Sequence, residues 1–304
     1  MNRGFVYTSR VAARETGLDV LEHLVRRFVK RTPAEWRAAL EAGLVRVNGA
    51  PAAASRRVVE GDLVAYHRPP WTEPDAPLDL PVVFEDEHVL VLDKPAGLQV
   101  LPAGPYLERT VFHLVRRSAP DRAEAAPIHR LGRGTSGLLL CGKTFAARAA
   151  LSQQFRERTP TKTYLALVAG TELPDACVAL HPIGAVPHGP IHIYVVREGG
   201  KPCHTRVRVL RRGGDATLVA AQPITGRPDQ IRIHLAALGA PIVGDPLYGP
   251  GGVAKSDATP GAGGYHLHAA GLAFDHPVQG ARMRLRCRPP WLADSQPRSG
   301  RAEG

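Results

Sequence analysis

The sequence predicts an α+β protein in which a small N-terminal module precedes a larger domain built on a mixed or antiparallel sheet with peripheral helices. Three observations lead there. At 304 residues the chain exceeds what one hydrophobic core usually serves, since single cores stop growing at roughly 250–300 residues. Residues 68–81, RPPWTEPDAPLDLP, hold five prolines in fourteen positions, and because proline fixes φ and removes a donor this stretch is an extended linker. Beyond it, strand-like runs dominate and do not alternate regularly with helical ones, which disfavours a doubly wound sheet. The expected division is a module at 1–67, the linker at 68–81, a domain at 82–293 and a disordered tail at 294–304.

In the module, Leu18, Leu21, Leu24, Val25 and Phe28 recur at helical spacing. Thr32, Pro33 and Glu35 then stand at N-cap, N1 and N3 of a second helix that stops at Gly43. A short alternating strand over 44–47 ends in the turn Asn48-Gly49, and 58–64 reads as a turn leading into another strand. Two helices and a small sheet make a unit of about 50–60 residues.

In the larger domain, strands are expected at 82–84, 89–92, 138–141, 162–168, 191–196, 205–210, 218–221, 266–274 and 283–288. Helices are expected near 110–118 and 145–155. A further helix over 228–239 has Asp229 as N-cap and Gly239 as C-cap, and the glycine-rich 249–264 reads as a mobile loop.

The stretch IHRLGRGTSGLLLCGKT at 128–144 matches two nucleotide-binding patterns. Gly132, Gly134 and Gly137 spell the dinucleotide fingerprint, and residues 137–144 spell a phosphate-binding loop. Neither has its context. The fingerprint needs a preceding buried strand and a helix opening within it, whereas here a strand follows. Leu138, Leu139 and Leu140 cannot curl around an anion and belong in a buried strand.

The formal charge of +11 and pI near 9.9 point toward polyanions, and residues 101–165 alone carry nine Arg and two Lys against four acids. Cys141, Cys177, Cys203 and Cys287 are widely spaced without a C-x-x-C pair, which suits a reduced, cytoplasmic chain. No run approaches the roughly 20 apolar residues of a membrane span. Although His266 and His268 alternate on one strand, no acid or thiol stands at ligand spacing, so the sequence predicts no metal site.

The order helix, helix, G-x-V-x-VNG, V-x-x-GD-x-V in the module resembles the S4 RNA-binding domain. The resemblance makes Arg26, Arg27, Lys30, Arg37 and Arg46 candidates for RNA phosphate. Taken in order, EDEHVLVLDKPAGLQV at 85–100, HRLGRGTSGLLL at 129–140, KTYLALVAG at 162–170, TGRPDQIRIHLAALGAPIVGDPLYG at 225–249 and LHAAGLAFDHP at 267–277 resemble the successive motifs of the RluA-type RNA pseudouridine synthases. That resemblance implies a uridine isomerase without metal or organic cofactor, acting on structured RNA (rRNA or tRNA), and a basic cleft able to hold one stem suits a monomer. Such enzymes flip a uridine out of the RNA, break its N-glycosidic bond with help from one aspartate, and rejoin the uracil through C5. It implies that Tyr164 stacks on the base and that Arg232 holds the catalytic carboxylate charged. Lys94, Arg130, Arg133, Lys162 and Arg227 are candidate RNA contacts around the same pocket.

Two departures accompany the resemblance. Where the family has its nucleophilic aspartate in HRLD-x-x-TSG, this chain has Gly132, which offers no nucleophile. Where the family reads TGR-x-HQIR, this chain has Asp229, three residues before Arg232 and so on the same helix face. The pair suggests a carboxylate relocated from 132 to 229. The competing readings are that Asp229 only caps its helix, and that the chain is an inactive homologue serving as an RNA-binding or assembly factor.

Overall fold

The computed structural model describes residues 1–29, 31–189, 191–255, 261 and 263–293; Lys30, the tail from 294 and most of the glycine-rich stretch's centre lie outside the described residues. It divides into two compact units, one of Met1–Glu73 with Pro187–His192 and the other of Pro74–Val186 with the described residues from Ile193 onward.

The first unit runs β1 (Phe5–Arg10), α1 (Val20–Arg27), α2 (Pro33–Glu41), β2 (Val45–Val47), β3 (Ala50–Pro51) and β4 (Leu63–Arg68). Its antiparallel sheet has the order β1-β4-β2-β3. Asp19 caps α1 by accepting from the Glu22 amide at 2.7 Å, and Thr32 with Glu35 forms the full capping box on α2. Asn48 at φ 51° and Gly49 at φ 86° supply the two left-handed residues that join β2 to β3. Val20, Leu24, Trp36, Leu40, Val45, Val47 and Val64 make one core. Strand β1 was not expected; its partner β4 lies far along the chain, with Phe5 opposite Arg68, so no local turn announces it.

From residue 74 onward the chain runs β5 (Val82–Glu85), β6 (Val89–Lys94), α3 (Val111–Ser118), β7 (Ala126–Pro127), β8 (Ser136–Gly142), α4 (Phe145–Glu157), β9 (Thr161–Ala169), β10 (Ala176–Ala179), β11 (Ile183–His188), β12 (Ile191–Val196), β13 (Thr205–Gly213), β14 (Ala216–Pro223), α5 (Gln230–Ala237), β15 (Leu267–Asp275), β16 (Arg282–Arg286) and α6 (Pro290–Ala293). Ten of these strands form one sheet in the order β10-β13-β14-β9-β15-β8-β6-β5, with β16 on β15 and β7 on β8. β8 and β15 run parallel and the other ladders of this sheet antiparallel, which is the mixed sheet that the irregular helix spacing predicts.

Every residue of β8 is buried, as a strand flanked on both sides by β6 and β15 must be. Gly137 adopts φ +105°, and a Cβ there would lie 2.4 Å from the Ala269 carbonyl oxygen, so only glycine permits this approach of β15. The phosphate-loop pattern is accounted for without a nucleotide. Lys143 Nζ donates to Glu85 at 2.9 Å and Asp121 at 2.6 Å, and Thr144 caps α4 through the Ala147 amide. Among the described residues no helix is long and apolar enough to cross a membrane.

Candidate active-site cavity

A cavity of about 720 Å³ opens where the loop before β8, the start of β9, the end of β14 and the start of α5 converge. Gly132, Tyr164, Asp229 and Arg232 line it together, although more than sixty residues separate Tyr164 from Asp229. Arg130, Arg133, Arg158, Lys162 and Arg227 line it too, and Asp229 is the sole acid among the described lining residues. A single carboxylate faces six cations, counting Arg232.

Arg232 is the fixed point. At 5 % exposure it donates from Nε and Nη2 to the two oxygens of Asp245, both at 2.7 Å, and from Nη1 to Asp229 Oδ1 at 2.7 Å. The rings of Tyr248 and Tyr265 lie 4.9 and 4.3 Å from its guanidinium carbon. Burial alone would lower the guanidinium pKa, but the hydrogen bonds it donates to Asp245 and the nearby negative charges keep it above its ordinary value.

The two acids on Arg232 differ. Asp245 has a side chain only 1 % exposed and also accepts from the Leu247 and Tyr248 amides at 2.8 and 3.0 Å, so its oxygens are committed. Asp229 has a side chain 30 % exposed on the cavity. Its second oxygen, Oδ2, has the Tyr248 hydroxyl as donor at a long 3.5 Å.

The helix-cap reading of Asp229 is corrected by its geometry. Asp229 occupies the N-cap position of α5 but makes no capping hydrogen bond, and its backbone is left-handed at φ 53°, ψ 14°. A capping aspartate keeps extended backbone and turns its oxygen to the N2 or N3 amide; this one turns to Arg232. A non-glycine residue held in the left-handed region at a ligand-sized cavity is strain of the kind that function retains.

Gly132 is flanked rather than empty. A Cβ on it would lie 3.0 Å from the Tyr265 hydroxyl and 3.3 Å from Thr135 Oγ1, and those two hydroxyls are hydrogen-bonded to each other at 3.0 Å. The loop is held from behind by Lys94. This lysine was expected to meet RNA phosphate, but it is 0 % exposed and donates to the carbonyls of Pro95, Leu98 and Arg133 at 2.7, 2.9 and 3.2 Å. Burial in the interior, with every proton used by backbone, removes it from any RNA contact. Arg133 lines the cavity while donating to the Gly261 carbonyl at 2.7 Å and the Tyr106 hydroxyl at 3.0 Å.

Tyr164 is buried to 9 % exposure, and burial pushes its phenol up to about 12, so it meets a ligand as a neutral ring at physiological pH. Lys162 lines the cavity with its pKa lowered by burial. In the first unit Arg37 and Arg46 are exposed, Arg26 pairs with Glu22, and Arg27 approaches Glu15 at 3.8 Å. Sequence reasoning missed Arg158, Tyr248 and Tyr265. Arg158 sits at the left-handed C-cap of α4, which nothing in its neighbours signals, and Tyr265 comes from a distant glycine-rich stretch.

His129 gives the cavity wall a pH signature. Its Nε2 accepts from the Leu140 amide at 3.1 Å, its ring stacks on Phe155 at 4.9 Å, and burial lowers its pKa to about 3. Because the folded pKa lies below the unfolded value of 6.5, the stabilisation is full above pH 6.5 and is lost as pH falls toward 3. Urea midpoints across that window should fall with acid, and His129→Gln should flatten the slope; an unchanged slope would remove His129 from the account.

A family sequence model described as RNA pseudouridylate synthase matches residues 88–237. An uncharacterized RNA pseudouridine synthase of Synechocystis is 39 % identical over 84 % of this chain and 89 % of its own length. The ribosomal large subunit pseudouridine synthase C of Vibrio vulnificus is 34 % identical over 88 % of this chain and 84 % of its own. Among solved structures, human RNA pseudouridylate synthase domain containing 1 superposes with a TM-score of 0.59 at 28 % identity, covering 73 % of this chain and 89 % of that one.

Proposed function

The chain belongs to the RluA-type RNA pseudouridine synthase family and isomerises uridine to pseudouridine in RNA, and we propose that it does so with Asp229 in the role of the missing aspartate. The observation that carries this is that Asp229 is the one acid among the described residues lining a cavity that six cations also line, its side chain turned from capping α5 onto Arg232.

In this reading the everted uridine enters beside Tyr164, whose neutral ring offers a stacking face that offsets part of the lost base stacking. Arg232 orients the Asp229 carboxylate through the bond from Nη1 to Oδ1 at 2.7 Å. One carboxylate oxygen attacks or stabilises the ribose carbon C1′ while the bond from C1′ to N1 breaks and the electron pair leaves with uracil. The detached base turns, C5 bonds C1′ as any bond from the Asp229 oxygen to C1′ breaks, and the proton that leaves C5 is matched by one taken up at N1, so atoms balance without a metal or organic cofactor. The cations Arg130, Arg158, Lys162 and Arg227 contact phosphates flanking the everted nucleotide.

The first unit is proposed as an S4-like RNA-binding module using Arg26, Arg27, Arg37 and Arg46. The substrate is structured ribosomal or transfer RNA, and the protein acts as a cytoplasmic monomer. Incubating the full chain with RNA from cells lacking the gene, followed by pseudouridine mapping, tests the assignment. New pseudouridine at a discrete position supports it, and tight RNA binding without isomerisation would instead favour an RNA-binding factor built on this fold. Arg158→Ala should reduce the steepness of log affinity against log salt by roughly 0.7–0.9, the share of one phosphate contact; an unaltered salt slope would take Arg158 off the RNA path.

A further inference from the structure

Away from the cavity, Asp93, His268 and Cys287 bring a carboxylate oxygen, an imidazole nitrogen and a sulfur within 4.8 Å of one another. None of the three lines the cavity. Asp93 comes from β6 and His268 from β15, the two strands on either side of β8, and Cys287 follows β16 with its amide donating to the Ala270 carbonyl at 3.0 Å. The sequence positions 93, 268 and 287 conceal the group completely.

We propose that Asp93, His268 and Cys287 form a binding site for a single zinc-type divalent cation. The ligand set mixes one sulfur, one nitrogen and one oxygen donor, which suits zinc and is foreign to calcium or magnesium. His268 is 0 % exposed and its Nδ1 is paired with Ser136 Oγ at 2.8 Å, which fixes the ring and turns Nε2 toward Cys287 Sγ at 3.1 Å. A ligating histidine usually donates its other ring N–H to an oxygen acceptor, and Ser136 Oγ stands in that place here. Tetrahedral coordination at zinc separates sulfur and nitrogen by roughly 3.5 Å, so the pair opens by only a few tenths of an ångström.

Charge supports the same reading. The Cys287 sulfur faces Asp93, His268 Nε2 at 3.1 Å and the Ala269 carbonyl at 3.5 Å. A dication at the centre displaces the thiol proton to solvent, and one thiolate and one carboxylate then balance its two charges while the imidazole donates a neutral lone pair. Bound there, it would cross-link β6 and β15, which both pair with β8, the strand that follows the Gly132 loop.

The test uses the full-length protein after chelator treatment. Cobalt(II) should give a sulfur-to-metal charge-transfer band that saturates at one equivalent, disappears in Cys287→Ser and persists in Cys177→Ser. Zinc should compete it away, with affinity reduced at least tenfold in Asp93→Asn and about tenfold in Ser136→Ala. No band in the wild type, or a band that survives in Cys287→Ser, overturns the site. Should Cys287→Ser fail to fold, alkylation of the wild type decides: zinc must slow modification of Cys287 and leave Cys177 unaffected, and equal rates with and without zinc overturn the proposal.

Discussion

Asp229→Asn is expected to lower the rate of pseudouridine formation on the order of 10⁴-fold or more, as loss of an obligatory catalytic group does, while RNA affinity changes little. The substitution keeps the size of the side chain and a carbonyl oxygen for Arg232 Nη1, now 2.7 Å from Oδ1, so a large loss would report the charge and nucleophilicity of the carboxylate. Single-turnover kinetics at saturating enzyme separates this from weakened binding. Retained activity in Asp229→Asn sinks the relocation. Gly132→Asp provides the reciprocal experiment. Because a Cβ at 132 would crowd the Tyr265 hydroxyl at 3.0 Å, the single variant should gain no activity and lose about 1–3 kcal/mol of stability.

Arg232→Met should be the most destabilising change in the cavity. It removes three charge-assisted hydrogen bonds and strands Asp245, whose side chain is 1 % exposed, as an unpaired buried carboxylate. Breaking a buried pair by deleting one partner costs roughly 3–5 kcal/mol, against roughly 0–1 kcal/mol for an exposed pair such as Arg26 with Glu22. In a chain of this size the melting temperature should fall by roughly 6–20 °C. Calorimetry would contradict the account if the fall were no larger than that of Arg26→Met. The double change Arg232→Met with Asp245→Leu should recover part of the loss, because it removes the stranded charge.

What the sequence made legible follows the range of the physics involved. Local signals were reliable: the capping box at Thr32 and Glu35, the Asn48-Gly49 turn, and the apolar run that becomes β8 each depend on neighbours within a few positions. The pairing of Asp229 with Arg232 was visible for the same reason, since three residues on a helix share a face. Lys94 was misread because charge suggests the surface, and only the fold shows three carbonyls waiting in the interior. Tyr265 over Arg232 and the Asp93, His268, Cys287 cluster depend on strands meeting across the sheet, so no window of sequence contains them. Asp229 itself was half legible. Its position at the head of α5 was right, but the left-handed backbone that frees its side chain from capping has no sequence mark beyond the tolerance of aspartate for it.

The seam between β8 and β15 leaves room for a hydrogen atom and nothing larger at residue 137. One face of that seam leads back to the loop bearing Gly132, and the other begins just after Tyr265. A methyl group placed there would act as a wedge, prising apart the two walls that hold the guanidinium and the hydroxyl pair in register. The chemistry of this chain is therefore hostage to a position that meets neither substrate nor solvent, and drift at that position is closed to it however freely the lining residues are exchanged.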